Sequence, residues 1–190
     1  MNKFNRGFTL VETLVAVSIF TVSILALFSV LTQGVSNTNY AKQKIIASYL
    51  TQEGIEYIRN MRDTYVLYSA TSQIGWDAFN TNLTDASACQ VVGIGCFFNA
   101  DSLNYLDPTQ PMIDITLTAC SSATCPNGVL SYNSATGKYG FSGTSSGFVR
   151  KIEITQPNAN ETKISSTVYW TQGSGNYNVV FSESLFNWIE

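Results

Sequence analysis

The sequence predicts an α+β protein in which a long N-terminal helix packs its second half on a C-terminal antiparallel β-sheet. Three observations carry this prediction. No residue other than Gly interrupts the chain from Phe8 to about Asp63. Within that stretch the apolar residues pass from a continuous run to a helical period, so the first half suits apolar surroundings on every side and the second suits one packed face. From about Thr64 the composition turns to Ser, Thr, Asn, Gly and aromatics, and period-two alternation takes over.

The first half begins with Lys3 and Arg6, followed by FTLVETLVAVSIFTVSILALFSVL. Thr13 to Leu31 is long enough to cross a bilayer core of ~30 Å as a helix, with Leu14, Ile19, Leu25 and Leu31 inside it. Basic residues ahead of the run place Met1 to Gly7 in the cytoplasm and the rest outside. The expected organisation is a leader over 1–7, a helix over 8–63 with about 8–33 in the membrane, and an extracellular α+β domain over 64–190. A secretory signal peptide would have a shorter apolar core and a small-residue cleavage site after it, and neither is present. A plain anchor fits the length, but it leaves Glu12 unexplained. An ionised carboxylate inside an apolar helix costs about 2.5 kcal/mol or more at the bilayer centre, and it calls for a partner.

The segment GFTLVE, preceded by Lys and Arg, resembles the processing site of type IV prepilins. The resemblance implies that a prepilin peptidase cuts between Gly7 and Phe8. It also implies that Phe8 is then N-methylated and that Glu12 is the acidic fifth residue of the mature chain. It further implies a pilus-like filament, with other pilin subunits, the assembly platform and the membrane as partners. The physical logic is consistent. Cleavage frees a positive amine on Phe8, and Glu12 of a neighbouring subunit can neutralise it where the dielectric is low. A misaligned subunit would leave both charges unpaired, so the pair would set axial register. Ser29 departs from the family pattern, since many pilins carry Pro at that place.

The second half of the helix is amphipathic from Lys42 onward. Ile46, Tyr49, Leu50, Gly54, Tyr57, Ile58 and Met61 are expected on one side, and Lys44, Gln52, Arg59, Arg62 and Asp63 on the other, with Ile55 off the stripe. Gly34 is the weak point at which one helix could become two. The segment AKQKIIASYLTQEGIEYIRNMRD is similar to minor pilins and to pseudopilins of type II secretion.

Beyond Thr64, residues up to Asn104 read as an irregular connection with a short helical turn near Trp76 to Leu83. Strands follow at Met112–Ala119, Gly128–Tyr132 and Lys138–Ser142, with a turn at Ala135 to Gly137. In the next strand Phe148, Ile152 and Ile154 share a face, and Arg150 on that face is expected near an edge. Ile164–Trp170 and Tyr177–Phe181 form a hairpin across Gly173 to Asn176. Leu185, Phe186 and Trp188 are expected to close the core.

The chain has 190 residues, enough for one domain plus an anchor, and its net charge of −3 selects no partner class. It has no His, the commonest metal ligand and the commonest general base near neutral pH. No G-x-S-x-G and no phosphate-cradling Gly loop occurs. No enzyme activity, cofactor or metal is expected. The four Cys suit an oxidising compartment. Short loops favour Cys89–Cys96 and Cys120–Cys125 among three possible connectivities, with a four-Cys zinc site as the rival. Asp101, Asp107 and Asp114 read as loop acids. Lys138, Arg150, Lys151 and Lys163 could form a small basic patch, too weak a feature to predict nucleic-acid binding or DNA uptake. Asn82-Leu83-Thr84 and Asn160-Glu161-Thr162 match glycosylation triplets. The leading expectation is a minor type IV pilin-like structural subunit. The alternatives are a type II secretion pseudopilin and a membrane-anchored extracellular binding module.

Overall fold

A computed structural model describes residues 7, 9–85, 89–90, 93–99 and 117–187. The chain divides into two compact units, Met1–Lys42 and Gln43–Glu190. Helix α1 spans Leu10–Tyr68 and passes through Gly34 without a break. It also runs past Asp63, where the sequence places its end. The chain has no Pro there and no Gly until Gly75, and the Thr64 hydroxyl donates back to the Asn60 carbonyl at 2.8 Å, a bond the helix itself accommodates.

In the first unit α1 is apolar and exposed along its length, including Leu14, Ile19, Leu25 and Leu31. Most of its hydroxyls are satisfied within the helix. Thr13, Ser18, Thr21, Ser23 and Thr32 each donate to a carbonyl one turn back at 2.8–2.9 Å. An apolar medium therefore meets few unsatisfied groups on this surface. This half is long and apolar enough to cross a membrane.

The second unit is a layer of helices on an antiparallel sheet. Its strands are β1 (Cys96–Phe98), β2 (Leu117–Ala119), β3 (Val129–Asn133), β4 (Lys138–Gly140), β5 (Thr144–Asn158), β6 (Glu161–Gln172) and β7 (Gly175–Phe186). Among the described residues the sheet order is β2-β1-β5-β3-β4, with β6 on the other side of β5 and β7 beyond it. The β6–β7 hairpin closes at Gln172↔Gly175 through a two-residue turn, and Gly173 there has a φ of 58°. Asn133 organises the β3–β4 turn, its side chain accepting from the Ala135 and Thr136 N–H groups. The strand expected over Met112–Ala119 is present as β2 from Leu117, and its residues 112–116 lie outside the described residues.

The core lies between α1, the sheet and a second helix, α2 (Ser72–Asp85). Tyr57, Ile58 and Met61 of α1 meet Ile152, Ile154, Ile164 and Leu185 of the sheet, and α2 adds Trp76, Phe79 and Leu83. α2 is longer than the short turn expected near Trp76. Those three residues recur at helical spacing, and the Thr71 hydroxyl caps the start by accepting from the Ile74 N–H at 3.3 Å. Gly75 lies against the α1 backbone, where a Cβ would come within 2.5 Å of the Tyr65 carbonyl oxygen. The Trp76 indole N–H donates to the Ala159 carbonyl in the β5–β6 turn at 2.8 Å.

The buried stripe of α1 differs from the expected one. Tyr49 is 69% exposed, whereas Ile55, Ala47 and Thr51 are buried. At 100° per residue Tyr49 stands about 140° round the helix from Gly54, and Ala47 only about 20°. The small residues Ala47, Thr51 and Gly54 form the line of closest approach, so counting large apolar side chains misplaced the face. Two further expectations fail. Arg150 lies not near an edge but on central β5, with only 2% exposure. Phe186 is 44% exposed and lies outside the core cluster, while Leu185, on the opposite side of β7, is in the core. Trp188 lies outside the described residues.

Candidate functional site

Two stretches of α1 carry the chemistry. At the start of the helix Gly7 is exposed, with open space around it, and Phe8 lies outside the described residues. Thr9 precedes the first helical residue. Its hydroxyl accepts from the Glu12 N–H at 3.2 Å, and its own N–H donates to the Glu12 carboxylate at 3.4 Å. This reciprocal pair is a capping box, which satisfies two of the N–H groups that a helix start leaves open. The Thr9-x-x-Glu12 spacing is the sequence signal for it. Glu12 therefore also has a partner within its own chain, and its placement in the first turn suits the helix dipole.

The second stretch is Leu50 to Glu56, the run LTQEGIE. Leu50, Glu53, Gly54, Ile55 and Glu56 each have a contact or a buried place that accounts for them. Leu50 and Ile55 are buried. At Gly54 an added Cβ would meet the Ser166 Oγ at 2.6 Å and the Ile152 Cδ1 at 3.1 Å, so only glycine lets α1 approach the sheet this closely. Glu53 accepts from the Arg150 guanidinium at 2.9 Å. Arg150 lies 4.5 Å from the centre of the Phe98 ring and 5.8 Å from that of Tyr57. Burial lowers its pKa from the ordinary arginine value, and the Glu53 carboxylate opposes that shift. Six residues on, Arg59 forms a two-pronged pair with Glu183 of β7, one arm at 3.1 Å, and also bonds Glu56. The Glu183 hydrogen bond raises the Arg59 pKa.

The cysteines form Cys89–Cys96 and Cys120–Cys125 disulfides. The first lies in the core cluster, where Ile154 N–H donates to the Cys89 carbonyl at 3.1 Å. The second closes a loop that Asn127 braces by accepting from the Ser121 N–H and donating to the Ala119 carbonyl, each at 2.9 Å. All four sulfurs are used, so the zinc alternative has no thiolates. The suggested basic patch does not form. Arg150 and Lys151 are buried, on opposite faces of β5, and Lys151 pairs with Glu153 at 3.1 Å. Asp101, Asp107 and Asp114 lie outside the described residues. Of the two glycosylation triplets, Asn82 lies within α2 and donates to the Tyr65 hydroxyl at 2.8 Å, and Asn160 is exposed in the β5–β6 turn. Among the described residues no cluster of His, Cys, Asp or Glu could hold a metal ion.

Residues 2–28 match the family model described as the prokaryotic N-terminal methylation motif. The match covers the capping box and most of the apolar half of α1, and a motif of this kind points to a type IV pilin-like prepilin. No curated protein and no solved structure matches the chain.

Proposed function

We propose that this chain is a minor subunit of a type IV pilus-like filament, a structural protein rather than an enzyme. The observation that carries the proposal is the coincidence of the methylation motif with a capped, apolar helix that continues into a disulfide-bonded α+β domain. In this reading a prepilin peptidase cuts between Gly7 and Phe8, and Phe8 is N-methylated. The domain beyond the span faces an oxidising space, in keeping with its two disulfides. The assembly platform then moves the subunit from the membrane into the filament.

The capping box refines the part played by Glu12. Among the described residues one carboxylate oxygen is engaged, by the Thr9 N–H. The other is available to accept from the Phe8 amine of a neighbouring subunit, so capping and register-setting do not exclude each other. The run LTQEGIE lies in the segment that resembles both minor pilins and pseudopilins, and its contacts seat α1 on the sheet in either case. A pseudopilin of type II secretion would use the same cut and the same charge pair.

Glu12→Ala tests the proposal. The variant should reach the membrane at normal abundance and be cleaved, yet be missing from sheared surface filaments. Normal entry of Glu12→Ala into filaments would refute the role of Glu12. Filaments lost only on deletion of type II secretion genes would turn the reading to the pseudopilin. Normal membrane anchoring with no filament association in any background would favour a tethered binding module.

A further inference from the structure

We propose that the Glu53–Arg150 pair selects the seat of α1 on the sheet, and that it does so at a cost in stability. The proposal concerns the second unit alone and stands whether or not the N-terminal reading holds.

Arg150 is a poor choice for stability. Its side chain is almost fully buried on the core-facing side of β5, and one guanidinium nitrogen, Nη2, has no hydrogen-bond partner. The neighbouring residues on that face, Phe148 and Ile152, are apolar. The rings of Phe98 and Tyr57 offset part of the desolvation, and a single carboxylate supplies the counter-charge. Replacing a buried ion pair by apolar residues of similar volume is often neutral or stabilising, whereas removing one partner alone is strongly destabilising. A residue that costs stability where Met or Leu would fit calls for another explanation, and the charge pattern supplies one.

The helix carries a negative charge at Glu53 and a positive one at Arg59. The sheet answers with Arg150 on β5 and Glu183 on β7. The two pairs have opposite polarity. Turning the helix end for end brings Arg59 towards Arg150 and Glu53 towards Glu183, and like charges meet. The apolar stripe discriminates poorly between such seats, because Leu50, Ile55, Ile58 and Met61 are interchangeable grease. Gly54 forbids some slides sterically but places no penalty on seats that lift the helix away from the sheet.

The test uses the full chain in detergent, with its three tryptophans labelled as 5-fluorotryptophan. Trp76 and Trp170 are both buried, Trp76 in the core cluster and Trp170 on β6 on the same face as Ile164. Wild type should give one 19F line per tryptophan. Glu53→Leu should lower the thermal midpoint by roughly 5 °C or more, because it strands a buried charge. The double variant Glu53→Leu with Arg150→Met should recover the wild-type midpoint or exceed it, while its Trp76 or Trp170 line splits. A double variant as unstable as the single one would overturn the proposal, since the pair would then be net stabilising. A double variant of full stability with unsplit lines would overturn it too, since the seat would then be chosen without the pair. Glu183→Gln, on the half-exposed pair, should change the midpoint little and leave the lines single.

Discussion

The two halves of α1 are made of one continuous helix, yet they solve opposite problems. Over residues 10–42 most of the large apolar side chains are exposed, on all sides of the helix. From Gln43 to Tyr68 one face is buried down to a glycine, and the charged residues on its borders are matched to the sheet. The exposed apolar surface of the first half is suited to apolar surroundings such as lipid. The second half is finished by its own domain. Helix formation is common to both and therefore teaches little about function. What distinguishes them is where the partner of each face comes from.

The comparison can be broken by substitutions that should act in one half only. The largest expected effect is in the second half. Ile58→Ala removes a fully buried side chain from the centre of the core cluster and should cost about 2–5 kcal/mol, read by urea unfolding of the full chain in detergent. Converting Cys89 and Cys96 together to Ser should cost a similar amount, about 2–5 kcal/mol, since that bridge lies inside the same cluster. Gly54→Val should cost about 1–3 kcal/mol, because the new atoms meet Ser166, Ile152 and Arg150. The smallest effect is in the first half. Leu25→Ala should leave the unfolding midpoint of the domain unchanged within about 0.5 kcal/mol, since nothing in the chain packs on it. A domain destabilised by Leu25→Ala as much as by Ile58→Ala would erase the distinction between the halves.

The sequence showed the first half better than the second. An apolar run, a leader and the order Gly7, Phe8, Glu12 are local signals, and the methylation-motif match covers the same residues. The capping box is equally local, but a carboxylate in an apolar run reads first as a charge in need of a neighbour. In the second half the fold class was legible, because alternation in β5 and β6 and the turns at Gly137 and Gly173 are also local. The packed face of α1 was not, because closest approach is set by what is small, and Ala47, Thr51 and Gly54 carry no hydrophobic signal. Arg150 was misplaced for a related reason. A lone arginine among apolar residues reads as an edge position until the strand pairing shows β5 at the centre and Glu53 above it.

The central claim is that the first seven residues are removed and that the helix then begins at a modified amine. Intact mass and N-terminal sequencing of the protein from its native membrane test it most directly. The account predicts a chain that starts at N-methylated Phe8, with both disulfides closed. A chain that retains Met1, or one cut beyond Leu31, would contradict it.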